Sequence, residues 1–242
     1  MFESKGIRPT LIAVAAVFLI AYNSSPSSGS AESTVGSGSI ISSAETPMTN
    51  GAVSLSLNVA PNAHLGQIAI ADILSYNGSQ PTIAAPEGWQ LIRDDYTITT
   101  RQSLYWHAVA GGDPSTVSWT FSEPVDTQGA IVLLDSAASD PPVGMTSGNT
   151  GSVPTLTAKP VASTAAGDLI LVFYATDFGG AGLAPTMPDN VNSVVNQTAS
   201  HEYWILANSQ SQDGSTEDAA CPTPQLFNWV AAQVAIKGAG IP

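Results

Sequence analysis

Hydrophobic and polar residues alternate along most of this chain. Val53, Leu55, Leu57 and Val59 are separated by Ser54, Ser56 and Asn58, and residues 117–121 and 129–135 repeat that period of two. Alternation of this kind marks strands with one buried face. Residues 67–76 (QIAIADILSY) form a further, mostly apolar strand, and residues 103–109 carry Leu104, Trp106 and Ala108 on one face and Tyr105, His107 and Val109 on the other. Turn residues punctuate these runs: Pro61-Asn62, Asn77-Gly78 and Gly111-Gly112-Asp113-Pro114. A turn at Pro86-Glu87-Gly88 launches the strand beginning at Trp89. A large aromatic beside a turn reads as a core plug, with a ligand platform as the other reading.

Three segments recur in order. Residues 166–174 echo 65–73, residues 202–207 echo 104–109, and residues 229–236 echo 127–134, each about a hundred positions on. The chain therefore divides into half-repeats of about residues 53–136 and 154–237. A half of that size buries little core alone. The expected fold is all-β: one jelly-roll-like antiparallel β-sandwich over residues 51–238, built from two related halves.

Ahead of this body, residues 10–22 (TLIAVAAVFLIAY) are uncharged and apolar, with Lys5 and Arg8 before them. This resembles a signal peptide with small residues for cleavage near Ala31. It is short for a membrane span, which takes about 20 apolar residues. If retained, the run must be buried in lipid or against other subunits, with Thr10, Leu11, Ile12, Val14, Val17, Phe18, Leu19 and Ile20 as its contact residues. Burial in an assembly is the expectation; membrane contact through residues 10–22 is the alternative. Residues 23–50 are Ser/Gly-rich and read as a linker or extended arm, with residues 37–42 as a candidate short strand.

Composition narrows the function. The net charge is -13 with six Lys plus Arg, too few cations to neutralise phosphates, so nucleic acid is excluded as a partner. The single cysteine, Cys221, reads as a buried thiol. No nucleophile elbow, phosphate loop, zinc-protease or dinucleotide motif occurs, so no enzymatic activity and no cofactor are expected. His64, His107 and His201 lack metal-ligand spacing. Asp94 with Asp95, and Asp135 with Asp140, are the candidate ligands for a calcium ion, which wants six to eight oxygens. Glu87, Glu123 and Glu202 are the acids that a glycosidase reading would have to use. Trp106, Trp119, Trp204 and Trp229 read as core aromatics; for a glycan, Tyr96, Tyr105 and Tyr203 offer ring plus hydroxyl on a half-wet surface.

The order PEGWQLIR, SLYWHAVAGGDPSTVSWTFSEPVDTQGAIVLLDSAASDPP, STAAGDLILVFYA and FNWVAAQVAIK resembles a jelly-roll-type β-sandwich module that recurs in bacteriophage structural proteins and in large secreted bacterial proteins. The resemblance covers about residues 53–237. It departs where Pro188-Asp189-Asn190-Val191 stands in place of a second Pro-x-Gly-Trp. The family is not defined by a catalytic set, so no site residue carries over. The resemblance implies a virion structural protein at the virion surface, contacting other copies of itself or other virion proteins through residues 1–50. The alternative is a secreted or membrane-anchored module of the bacterial cell envelope that binds glycans. A hydrolase on the same scaffold has no motif behind it.

Overall fold

The structure is a computed structural model that describes residues 39–60, 63–76, 78, 80–135, 141–162, 164–177, 191–197, 201–210, 213–223 and 226–238. The apolar run at residues 10–22, Asp140 and residues 188–190 lie outside the described residues. Among those described, all regular structure is antiparallel strand and there is no helix. Period-two patterning and frequent turn residues select this outcome.

The first half supplies β1 (Ile40–Asn58), β2 (Ile68–Tyr76), β3 (Ile83–Ala84), β4 (Gln90–Tyr96), β5 (Thr100–Ala108) and β6 (Thr116–Leu134). The second supplies β7 (Val143–Gly151), β8 (Thr155–Ala158), β9 (Leu169–Thr176), β10 (Asn192–Gln197), β11 (Tyr203–Ser209), β12 (Ala219–Pro222) and β13 (Trp229–Ile236). Each half makes its own sheet. The orders are β1-β6-β2-β5-β4 and β7-β13-β9-β11-β10, with β3 added to β6 and a separate β8-β12 pair. Place for place the two orders correspond.

Finer features repeat with them. Gly66 and Gly167 both take a positive φ, at 93° and 90°. The side chains of Gln67 and Asp168 then accept the amides of His64 and Ala165, at 2.8 and 2.9 Å. Edge strands β4 and β10 each carry a register shift at the same place, between Leu91 and Arg93 and between Ser193 and Val195. Matched turns and bulges are built features of a strand pair, so the body is a structural duplication.

The inter-sheet core shows how the halves sit. Ile68, Ile70 and Leu74 from one sheet meet Leu169, Leu171 and Phe173 from the other. β1 lies against β10 along one seam and β4 against β7 along the other. Since β1 corresponds to β7 and β4 to β10, a pseudo-two-fold axis runs between the sheets along the strands. Each repeat also covers its own outer face. β1 and β6 are both 19 residues long and bend where their register slips between Thr46 and Ser54. Gly51 takes a φ of 58° in this bend and donates its amide to Asp126 Oδ1 at 2.8 Å. Beyond it, Leu55, Leu57 and Trp119 pack on Ala71, Ile73 and Ile131. In the second repeat β8 and β12 do the same, placing Leu156 and Cys221 over Val172, Trp204 and Trp229.

Two expectations are corrected here. Among the described residues β1 begins at Ile40, so residues 40–50, read as part of a linker or extended arm with a candidate strand at 37–42, belong to a long strand: their backbone pairs with β6 and needs no core of its own. The echo of residues 104–109 in 202–207 is also out of register. Ile68 pairs with Ala108 and Leu169 with Ser209, so Tyr105 corresponds to Leu206 and Tyr203 to Gln102. The slip is three residues, an odd number, and therefore exchanges the two faces.

Candidate functional site

The first repeat carries a polar and aromatic constellation on its outer surface. Gly88 takes a φ of 82°, the conformation that lets the Pro86–Gly88 turn close and place Trp89 on the outer core. Trp89 is buried and meets Trp119 edge-on, with ring centroids 5.0 Å apart, so it is the core plug that its position suggests. His107 reaches from β5 and lies over the other side of Trp89, stacked at 5.3 Å. Its Nδ1 is 3.0 Å from the Gly88 carbonyl and its Nε2 is 2.8 Å from Asp113 Oδ2. Asp113 Oδ2 also accepts the Ala110 amide at 2.7 Å. Its surroundings cost Asp113 some hydration, but the Ala110 amide and the His107 ring together hold its carboxyl below the usual range. His107 thus ties the turn before β4 to the turn after β5.

Two hollows flank His107. One, of about 400 Å³, is walled by Pro86, Pro114 and Val117, with Glu87 and Asp113 at its rim. The other, of about 350 Å³, is lined by Gln90, Trp106 and Pro142. Gly88 and His107 border both.

Comparison with protein-family models, with curated proteins and with solved structures finds no match. The geometry of the chain is the ground for any functional reading.

The structure separates the candidate metal ligands. Asp94 and Asp95 point to opposite faces of β4, and each is held by an arginine. Arg101 donates to both oxygens of Asp94 at 2.8 and 2.6 Å, and Ser103 adds a third bond at 2.8 Å. Arg93 donates to both oxygens of Asp95 at 2.5 and 2.8 Å and to Thr146 on β7 at 3.2 Å. Bidentate pairs of this kind use the carboxylate lone pairs that a cation would need. Asp135 is exposed just after β6. No cluster of three or more His, Cys, Asp or Glu converges among the described residues.

The tyrosines proposed for a glycan do not share a surface. Tyr96 is 54% exposed. Tyr105 is buried in the outer core and Tyr203 in the inter-sheet core, where its hydroxyl donates to the Gly129 carbonyl at 3.2 Å. Neither reaches a ligand from solution, because strand alternation turns them toward opposite cores. His64 is exposed, whereas His201 packs on Tyr76 with ring centroids 4.1 Å apart, and burial lowers its pKa. Cys221 is buried, and burial, with Glu202 nearby, pushes its thiol up to about 12. Burial pushes Glu202 up to about 7.

The inter-sheet core also holds a carboxyl that the sequence pattern leaves unmarked. Asp72 is fully buried on β2, where the second repeat has Phe173. Burial pushes it up to about 8, against the opposing effect of the Gln102 amide, which donates to Oδ2 at 3.0 Å. Asp72 Oδ1 and Gln102 Oε1 are each buried without another partner among the described residues. A proton on Asp72 lets the acid and the amide exchange two hydrogen bonds and satisfies both atoms. The apolar run around Asp72 hides it; a lone acid inside an otherwise apolar strand was the available signal. The Asp113–His107 pair was hidden differently, because it joins a turn to a strand across a loop.

Proposed function

We propose that the chain is a non-enzymatic structural protein of a virion surface, with residues 1–38 holding it in the assembly and the duplicated β body displayed outward. The observation that carries this reading is the start of β1. The Ser/Gly-rich stretch runs directly into Ile40, the first residue of a 19-residue edge strand that pairs with β6 along nearly its whole length. A load on the N-terminal segment is therefore borne by the backbone ladders that β1 makes with β6 on either side of its bend.

Strand order supports reading each repeat as a jelly-roll-type unit. Counting the two arms of β1 and of β6 separately gives eight segments. The inner sheet then runs first, eighth, third, sixth, fifth, and the outer layer second, seventh, fourth, so the fifth segment (β4) stays beside the sixth at the inner sheet's edge. That wrapping accords with the resemblance to phage structural modules.

The second reading is a secreted or membrane-anchored cell-surface module, favoured by the signal-like pattern of residues 1–31. Mass spectrometry of native material separates the two. Peptides from residues 1–31 recovered from purified virions support the assembly reading. A chain beginning near Ala31, recovered from culture medium, overturns it.

A further inference from the structure

We infer that the two hollows on either side of His107 form one trough that binds a neutral or amino sugar. The duplication supplies the first observation. In the second repeat the places of Trp89, Trp106 and His107 are taken by Val191, Ala207 and Asn208, as the strand pairing shows. The same strand order forms there without the constellation, so the strand order itself does not call for these residue types.

The second observation is the chemistry that the trough presents. Glu87 is exposed and makes no hydrogen bond or ion pair among the described residues. Asp113 uses one oxygen for His107 and Ala110 and leaves the other open among those residues. Gln90 adds an exposed amide on the far side of His107. The open groups are mostly acceptors, which suit hydroxyl or ammonium donors. Pro86, Pro114, Pro142 and Trp106 supply apolar walls for the C–H face of a pyranose. Each hollow is within the size of a small-ligand site, and together they have room for more than one ring. Glu87 and Asp113, in a chain of net charge -13, repel acidic sugars. This trough replaces the dispersed tyrosines as the place where a glycan would meet the protein, and it is independent of whether the body sits on a virion or on a cell.

The test is a glycan array of neutral, amino and acidic oligosaccharides probed with the full chain, followed by calorimetric titration of the strongest binder. The expected result is binding confined to neutral or amino glycans, weakened about tenfold by Glu87→Gln and by Asp113→Asn and unchanged by Tyr96→Ala. Glu87 makes no contact that folding needs, so its variant separates lost binding from lost structure. Silence of the whole array, preference for acidic glycans, or unchanged affinity in Glu87→Gln would each overturn the assignment.

Discussion

Arg93 lies directly on the backbone of Gly148: a Cβ at Gly148 would stand 1.7 Å from Arg93 Nη2 and 2.7 Å from Asp95 Oδ1. This contact closes the β4–β7 seam. At the pseudo-symmetric β1–β10 seam the pairing register puts Val195 in place of Arg93 and Glu45 in place of Gly148. A hydroxyl-lined hollow of about 470 Å³ opens along this second seam. The two seams share a geometry and differ in what fills them.

Gly148→Ala is expected to displace the Arg93 guanidinium and to destabilise by about 1 kcal/mol, because the clashing atoms sit at the ends of side chains that can swing away. Gly129 is the contrasting case. Its Cβ would meet the backbone carbonyl oxygen of Asp72 at 2.5 Å and Leu55 Cδ2 at 3.0 Å. The Asp72 carbonyl cannot retreat without moving a strand, so Gly129→Ala is expected to cost about 3 kcal/mol. Urea unfolding of the two variants checks the order.

Asp72 predicts a pH dependence with a definite sign. Its folded pKa of about 8 lies above the ordinary value of 3.8, so the folded state binds the proton more tightly than the unfolded state does. This group's contribution is most favourable below the ordinary value and is lost progressively as pH rises to about 8. Asp72→Asn keeps an amide in place of the protonated acid and removes that loss. The variant is expected to be more stable than the parent by about 4 kcal/mol near neutral pH, with little difference at pH 4. Thermal unfolding of both proteins across that range tests it. A parent-minus-variant difference that does not change with pH would show that Asp72 is ionised in the fold.

Cys221 should be inert while the protein is folded. It is fully buried on β12, beneath the β8–β12 layer, and its thiol is pushed up to about 12. Thiolate is the reactive species. A thiol reagent is expected to label less than a tenth of the chains in buffer and to label them fully in denaturant, on the order of the contrast between closed and open states. Rapid labelling in buffer would mean that the β8–β12 layer opens readily.

Neither repeat should persist alone as a monomer. The face that joins the sheets carries Ile70, Leu104 and Val132 in the first repeat and Leu171, Ile205 and Val234 in the second. A fragment ending before residue 141 would expose that face to water. The pseudo-two-fold relation predicts that a second copy of the fragment covers it. Light scattering on residues 39–135 is expected to give a dimer or larger species, and a stable monomer would show that the inter-sheet core is dispensable.

Much of this was legible along the chain, and the reason is local. Period-two alternation, turn residues and near-constant spacing depend only on sequence neighbours, so the strands, the all-β class and the duplication could be read from them. Trp89 as a plug belongs to the same level. Tertiary structure decided the rest. Two echoing tryptophan-bearing strands looked aligned, but hydrogen-bond register, fixed by β2 and β9, moved one by three residues and buried Tyr105 and Tyr203 in different cores. Two adjacent aspartates looked like a cation site, but their arginine partners arrive from β5 and from within β4. The two halves could have interleaved in one sandwich; they formed separate sheets, and the apolar face of each packs against that of the other. Asp72 and the Asp113–His107 pair depend on which strands and loops meet, since burial and partner geometry are set by residues far away in the chain and leave no trace in the local pattern.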